Sequence, residues 1–427
     1  MVSRRSCLMA VPLSVAAMAW GARRPLILDP RMSLVERAEP DPAAIAAAAG
    51  AVRGFTADMY RDLALTGDER NNLVCSPYSA VMALAMARAG AAGVTAQEMD
   101  TVLHAPTPRP QALDAGLNAL DQLLVAAYHD PGGSGEECPR LDTANALWTQ
   151  YDLPLEEAFL GILARYYGAG ANSVDFWGAT EAARQEINAW VSARTNERIP
   201  ELLAQGALTP MTCLVLTNAI YLKANWQFPF PEEATEPAAF ARDDGGTVSV
   251  PMMASPTNDI GYLSGGDWRA VDLPYVGSGL AMAIVVPEPG ALASLEQRVD
   301  ERWLRDLLTG FVQLPVRVRL PRWTFRLPTE LGDLLARLGM PTAFSALADF
   351  SGMSSAAGLS ISKVVHEAFI AVDEYGTEAA AATAVIIDRT AIGPTVVADR
   401  PFLFVIHDVA TATPIFIGRV TDPTIEQ

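Results

Sequence analysis

Lysine is nearly absent from this chain: Lys223 and Lys363 are the only two in 427 residues, and arginine carries almost all the positive charge. Acids outnumber bases by 49 to 31, and the formal net charge of −18 argues against a nucleic-acid or anionic-membrane partner. Histidine is scarce as well, represented by His104, His129, His366 and His407. The four cysteines, Cys7, Cys75, Cys138 and Cys213, are unevenly spaced. These residues make neither a metal-ligand pattern nor a disulfide framework, so no metal and no cofactor is expected. The motifs HExxH, CxxC and GxSxG are missing, and no glycine-rich loop follows a strand to cradle phosphate. Gly133-Ser134-Gly135 reads as part of a polar linker, and Cys75 as a buried structural thiol. His366-Glu367 borders an apolar, strand-like run, which favours a hydrogen-bonded core histidine over an acid–base pair. By elimination, an ordinary enzyme is not expected. A fixed-period repeat is also missing, which excludes a solenoid.

What the chain does have is apolar content, 50% of its residues, enough to bury a large core. The first residues, MVSRRSCLMAVPLSVAAMAWGA, combine Arg4-Arg5, an apolar stretch to about Ala19 and small residues at its end. Residues 1–22 are therefore expected to be a secretory signal, and Ser3-Arg4-Arg5 also fits a loose twin-arginine pattern. The alternative is a disordered leader on a cytoplasmic protein. Residues 23–39 read as a linker, and residues 40–427 as one domain.

Within that domain Asp41 should cap a first helix and Ser76-Pro77 should start a second, ending near Gly90. Further helices are expected around Ile187–Thr195 and Leu331–Gly339. Strands are expected at ANALW (144–148), Leu214–Leu222, Ala281–Pro287, Val316–Phe325, Phe402–Asp408 and Thr413–Val420. Helices crowd the first half and strands the second without strict alternation, which is an α+β pattern.

One stretch fits neither helix nor strand, Val372–Ile387, reading VDEYGTEAAAATAVII. Its alanines favour helix, but Gly376 opens it, Thr377 and Thr383 interrupt it, and Val385-Ile386-Ile387 closes it with β-branched residues. At period two, Thr377, Ala379, Ala381, Thr383, Val385 and Ile387 form one small, mostly apolar face. Such a segment can stay a loop or enter a crowded sheet in which larger side chains would clash.

NNLVCSPYSAVMALAMARAGAAGVTAQEM (71–99), ANALW, INAWVSARTNERIPELL (187–203) and LTNAIYLKANWQFPF (216–230) occur in that order. VPMM (250–253), VDLPY (271–275), ADFSGMS (348–354), KVVHEAFIAVDEYGTEAAAATA (363–384) and VVADRPFLFVI (396–406) follow. In these motifs, and across nearly all of residues 55–423, the chain resembles the serpin family of serine protease inhibitors, of bacterial type. The resemblance implies three β-sheets, about nine helices and an exposed reactive-centre loop. A protease would attack that loop, form an acyl-enzyme, and be trapped as the cleaved loop enters the central sheet as a new strand. Target classes would be elastase-like, subtilisin-like or trypsin-like serine proteases, with cysteine proteases as a further class, met by a monomer. The alternative is a non-inhibitory relative with a binding or chaperone-like role.

The same resemblance assigns Glu374, Gly376, Thr377, Glu378, Ala379, Ala380, Ala381 and Ala382 to the hinge of the loop. Ser76, Ser79, Asn218 and His366 fall on the polar shutter beneath the sheet, and Trp226 and Arg322 on the breach, with Arg322 expected to pair with Glu374. Family spacing puts the bait sixteen residues past Glu374, at Thr390-Ala391, with Arg389-Thr390 as the alternative bond. Thr390 suits an elastase-like or subtilisin-like protease; Arg389 suits a trypsin-like one. Entry of Thr377–Thr390 would add about 14 strand residues at ~3.3 Å each, a displacement of roughly 45 Å. At roughly 0.5–1.5 kcal/mol per new hydrogen bond, it would release on the order of 10 kcal/mol, so the uncleaved state must be kinetically held. Around Thr101–Asp142, Arg109 and Arg140 stand alone among acids, so no heparin-like cofactor is expected.

Overall fold

The structure, a computed structural model, describes residues 31–67, 71–106, 111–128, 139–277, 279–356, 358–378 and 393–425. The expected signal segment, Ala379–Ala382 and both candidate bonds at Arg389, Thr390 and Ala391 lie outside the described residues.

Nine α-helices form among the described residues. The first six are α1 (Pro42–Thr66), α2 (Pro77–Arg88), α3 (Gly93–Val102), α4 (Gln111–Tyr128), α5 (Glu157–Ile162) and α6 (Thr180–Arg194). Asp41 starts α1 by accepting the Ala43 N–H at 3.0 Å, with Pro42 at the first helical position. Ser76 does the same for α2, ahead of Pro77. Residues 31–38, at the end of the expected linker, are tied down: Arg31 pairs through its backbone with Ala171, and Arg37 reaches Asn118 at 3.0 Å and Asp121 at 2.6 Å on α4.

The central sheet has six strands: β1 (Arg140–Gln150), β2 (Asn172–Val174), β3 (Leu214–Asn225), β4 (Trp323–Glu330), β5 (Ile361–Val372) and β6 (Gly376–Thr377), in the order β4-β5-β6-β3-β1-β2. A second system of ten strands divides at Val312–Pro321. The first half of that long strand pairs with Asn258–Ser264, the second with Thr247–Ala254 and Thr395–Val397. The pattern amounts to three sheets.

Residues alternate across β3 and β5 as period two requires. Leu216, Ile220, Val364 and Ala368 point into the main core, on the side of α2, whereas Val215, Ala219 and Val365 join Phe176, Ile187 and Val191 under α6. Each large aliphatic side chain so buried contributes roughly 1.5–3 kcal/mol.

The expected strand Val316–Phe325 is a correction. It is two strands in two sheets, Val312–Pro321 and β4, and the chain changes sheet at Arg322, whose N–H donates to Pro251 O at 3.1 Å. The alternation slips there: Val316, Val318 and Leu320 are buried at even positions and Pro321, Trp323 and Phe325 at odd ones, so the adjacent buried pair Leu320-Pro321 marks the change.

Candidate functional site

β3 and β5 run parallel, paired from Leu214 to Ile220 and from Ile361 to Ala368. Parallel pairing is slightly weaker than antiparallel, and here it forms a seam between otherwise antiparallel neighbours. Past Ala368 the seam is filled. The chain leaves β5 at Val372, turns back, and lays Gly376 and Thr377 between the two strands as β6, antiparallel to both.

Asp373 makes that turn. Its carboxylate accepts the N–H groups of Tyr375 at 2.9 Å and Gly376 at 3.1 Å, and its own N–H donates to Gly376 O. The segment after β3 then clips it in place: Trp226 N–H donates to Tyr375 O at 2.7 Å, Phe230 N–H to Glu374 O at 2.9 Å, and the Trp226 indole to Asp373 O at 3.0 Å. Trp226 stacks on Tyr275 at 4.5 Å, and the Tyr275 hydroxyl bonds Thr377 Oγ1 at 2.6 Å. The buried Glu374 carboxylate accepts from Arg322 Nε at 2.7 Å and from the Thr235 hydroxyl at 2.5 Å. Gly376 has no room for a side chain, because a Cβ there would lie 2.0 Å from Ala224 O.

Further along the seam a polar row crosses the sheet, His366 opposite Asn218 and Asn218 opposite Asn145. The Ser76 N–H donates to His366 Nε2 at 3.0 Å, so the ring proton sits on Nδ1 and donates to Asn218 Oδ1. Asn218 Nδ2 donates to Ser79 Oγ at 2.6 Å and to Asn145 Oδ1 at 2.7 Å, and Ser79 donates to Asn145 at 2.5 Å. Burial pushes the His366 pKa down to about 3, so the ring is neutral. Within this cluster the His366–Asn218 bond is the one that joins β5 to β3 directly; the first turn of α2 contacts both strands, Ser76 through His366 and Ser79 through Asn218.

The sequence model of the family described as Serpin (serine protease inhibitor) matches residues 50–423. The chain belongs to the serpin family. A serpin-like protein of Thermococcus kodakarensis is 40% identical over 378 residues, covering 87% of this chain and 85% of the relative. The leukocyte elastase inhibitor of Bos taurus is 39% identical, covering 85% of this chain and 97% of the relative. Among solved structures, Serpin48 of the insect Tenebrio molitor superposes with a TM-score of 0.77 at 31% identity, covering 88% of this chain and 98% of that one. Human thyroxine-binding globulin, solved in complex with thyroxine, gives 0.78 at 27% identity, covering 90% of this chain and 100% of that one.

Glu374, Gly376, Thr377 and Glu378, the residues the resemblance assigns to the hinge, thus gather with Trp226 and Arg322 at one end of the seam. Ser76, Ser79, Asn218 and His366 gather in its middle. Sequence reasoning has Thr377 begin its entry after cleavage; in the uncleaved serpin it already occupies the sheet. Three contributors escaped that reasoning: Asn145 in the polar row, Tyr275 under Thr377, and Thr235 on Glu374. Asn145 stands inside ANALW and Tyr275 inside VDLPY, so both motifs carried a signal; Thr235 lies in none.

Proposed function

We propose that this serpin inhibits serine proteases as a suicide substrate and is itself no catalyst. The target cleaves within residues 379–392, and the released strand enters between β3 and β5 while the acyl-enzyme persists. The observation that carries this reading is β6, two residues antiparallel to both seam strands with a run of small residues directly behind it. A strand antiparallel to both neighbours replaces one parallel pairing by two antiparallel ones, which favours further entry. The likeness to leukocyte elastase inhibitors supports the same reading.

The test is incubation with trypsin, elastase and subtilisin in turn. A covalent complex that survives SDS is expected with at least one; cleavage and turnover by all three overturns the proposal. Sequencing the released peptide assigns the bond, Ala391 at its N-terminus for Thr390-Ala391 and Thr390 for Arg389-Thr390. Export from the cell belongs to the proposal and is tested by fractionation.

The likeness to thyroxine-binding globulin favours a second reading, a binding protein whose loop does not trap proteases. That reading expects no gain in thermal stability after loop cleavage, whereas trapping expects a large one.

A further inference from the structure

Strand β6 stops after two residues, and the next residue holds the reason. Glu378 has a left-handed backbone, φ 50°, although its N–H still donates to Ala371 O at 3.0 Å. A non-glycine residue in this conformation is strained and persists only where its surroundings hold it. An extended strand also cannot run through it.

What holds Glu378 comes from both sides of the seam and from the turn after α6. That turn carries left-handed Asn196 and Glu197 and is closed by the Arg198 N–H donating to Thr195 O at 2.9 Å. It places the Arg198 guanidinium 5.8 Å from the Phe369 ring centre on β5 and in an ion pair with the Glu378 carboxylate. From β3, Tyr221 and Lys223 lie near the same carboxylate, and Lys223 adds positive charge there. The carboxylate end is largely buried, with 12% of the Glu378 side chain exposed, whereas the Arg198 side chain is 52% exposed, so solvent screens the pair from the arginine side only.

We propose that Arg198 grips Glu378 as a latch that halts strand entry after Thr377 in the uncleaved chain. The charges that keep Glu378 left-handed are positioning groups, and releasing them lets it become extended and β6 lengthen. The inference rests on the proposed function in one respect, that residues 379–390 can enter the seam.

Its test does not require that a protease be trapped. Wild type, Glu378→Gln, Arg198→Gln and Arg198→Lys are held uncleaved a few degrees below melting. At intervals, the fraction still cleavable by elastase or trypsin within residues 379–392 is read by intact mass. The Gln variants are expected to lose the cleavable loop about tenfold faster than wild type, and Arg198→Lys, which keeps the charge, to follow wild type. The deliberately cleaved forms of all four should melt together, which separates a latch from general packing. Equal persistence of the loop in all four proteins overturns the proposal, as does equal weakening of the cleaved forms. Turnover without trapping in the protease assay, combined with faster loop loss in the Gln variants, would sink the inhibitor reading and leave the latch standing.

Discussion

At the hinge end of the seam, Gly376 and Thr377 stand between β3 and β5 with backbone pairing on both sides. In the middle, the same two strands pair directly, and the His366–Asn218 bond ties a buried polar row across them. The hinge end has already made the exchange that the proposed insertion would require. The middle holds the groups that insertion must separate, and their cost while separated is large because they are buried. On the proposed mechanism, initiation is therefore built into the folded chain, and resistance lies further along.

The strongest way to break this contrast is to empty the hinge end. Gly376→Ala places a Cβ 2.0 Å from the Ala224 carbonyl oxygen, an overlap with backbone that a rotamer change cannot relieve. β6 should be expelled, and strand entry should lose its head start. The expected outcome is a fall of about tenfold or more in the fraction of encounters that end in a covalent complex, the factor that ~1.4 kcal/mol sets. Titration of inhibitor against active protease measures it. An unchanged stoichiometry would mean that β6 is incidental to trapping.

Weakening the middle is the next largest effect. Asn218→Ala removes the group on which His366, Ser79 and Asn145 converge and leaves buried partners unmatched, at a cost of about 1–3 kcal/mol to the uncleaved form. A lower urea midpoint before cleavage and a smaller change after it are expected. Equal losses in both forms would show that the row serves general stability and not the seam.

These two sites were not equally legible in the sequence. Ser76, Ser79, Asn218 and His366 could be placed because their motifs stand in family order, and the strands Phe402–Asp408 and Thr413–Val420 have the expected bounds. Asn145 could not be placed, since a polar residue in an alternating strand reads as solvent-facing until the register sets it opposite Asn218. The seating of Thr377 was equally hidden. It depends on how closely Gly376 approaches Ala224, a tertiary distance on which glycine content is silent. Arg198 and Glu378 meet only because the turn after α6 folds back, far from the hinge in sequence.

Acid should sharpen the contrast with a slightly smaller effect. His366 has its pKa lowered from the ordinary 6.5 to about 3, so the folded state resists a proton that the unfolded chain accepts. Stability is lost as pH falls below about 6.5, by about 2 kcal/mol at pH 5. Buried His407 in the ten-stranded system has the opposite sign. Burial opposes its charge, but Asp272 at 3.0 Å, together with Asp408, outweighs burial and raises its pKa. Its contribution is present below the ordinary histidine range and is lost as pH rises through the raised value. Urea midpoints from pH 7 to 5 should therefore fall less steeply in His366→Gln than in wild type, and more steeply in His407→Gln. Identical slopes in all three would remove His366 as the acid-sensitive part of the seam.

The smallest expected effect concerns the ion pair that fastens the hinge end. An ordinary surface ion pair would be worth under about 1 kcal/mol. In the fold only the arginine is solvated: its side chain is 44% exposed, that of Glu374 2%. Removing the cation in Arg322→Ala leaves a buried carboxylate with Thr235 as its remaining side-chain donor, and about 1–2 kcal/mol is expected to be lost once solvent screening is allowed for. Arg322→Lys is different. Arginine Nε and Nη2 both reach the same oxygen, Glu374 Oε1, at 2.7 and 2.5 Å, so the two-oxygen fork that makes arginine irreplaceable elsewhere is not used. One ammonium can serve that oxygen, and the lysine variant should lie within about 0.5 kcal/mol of wild type in urea melts. A loss as large as that of the alanine variant would mean that the planar guanidinium itself, and not its charge, holds the turn from which β6 springs.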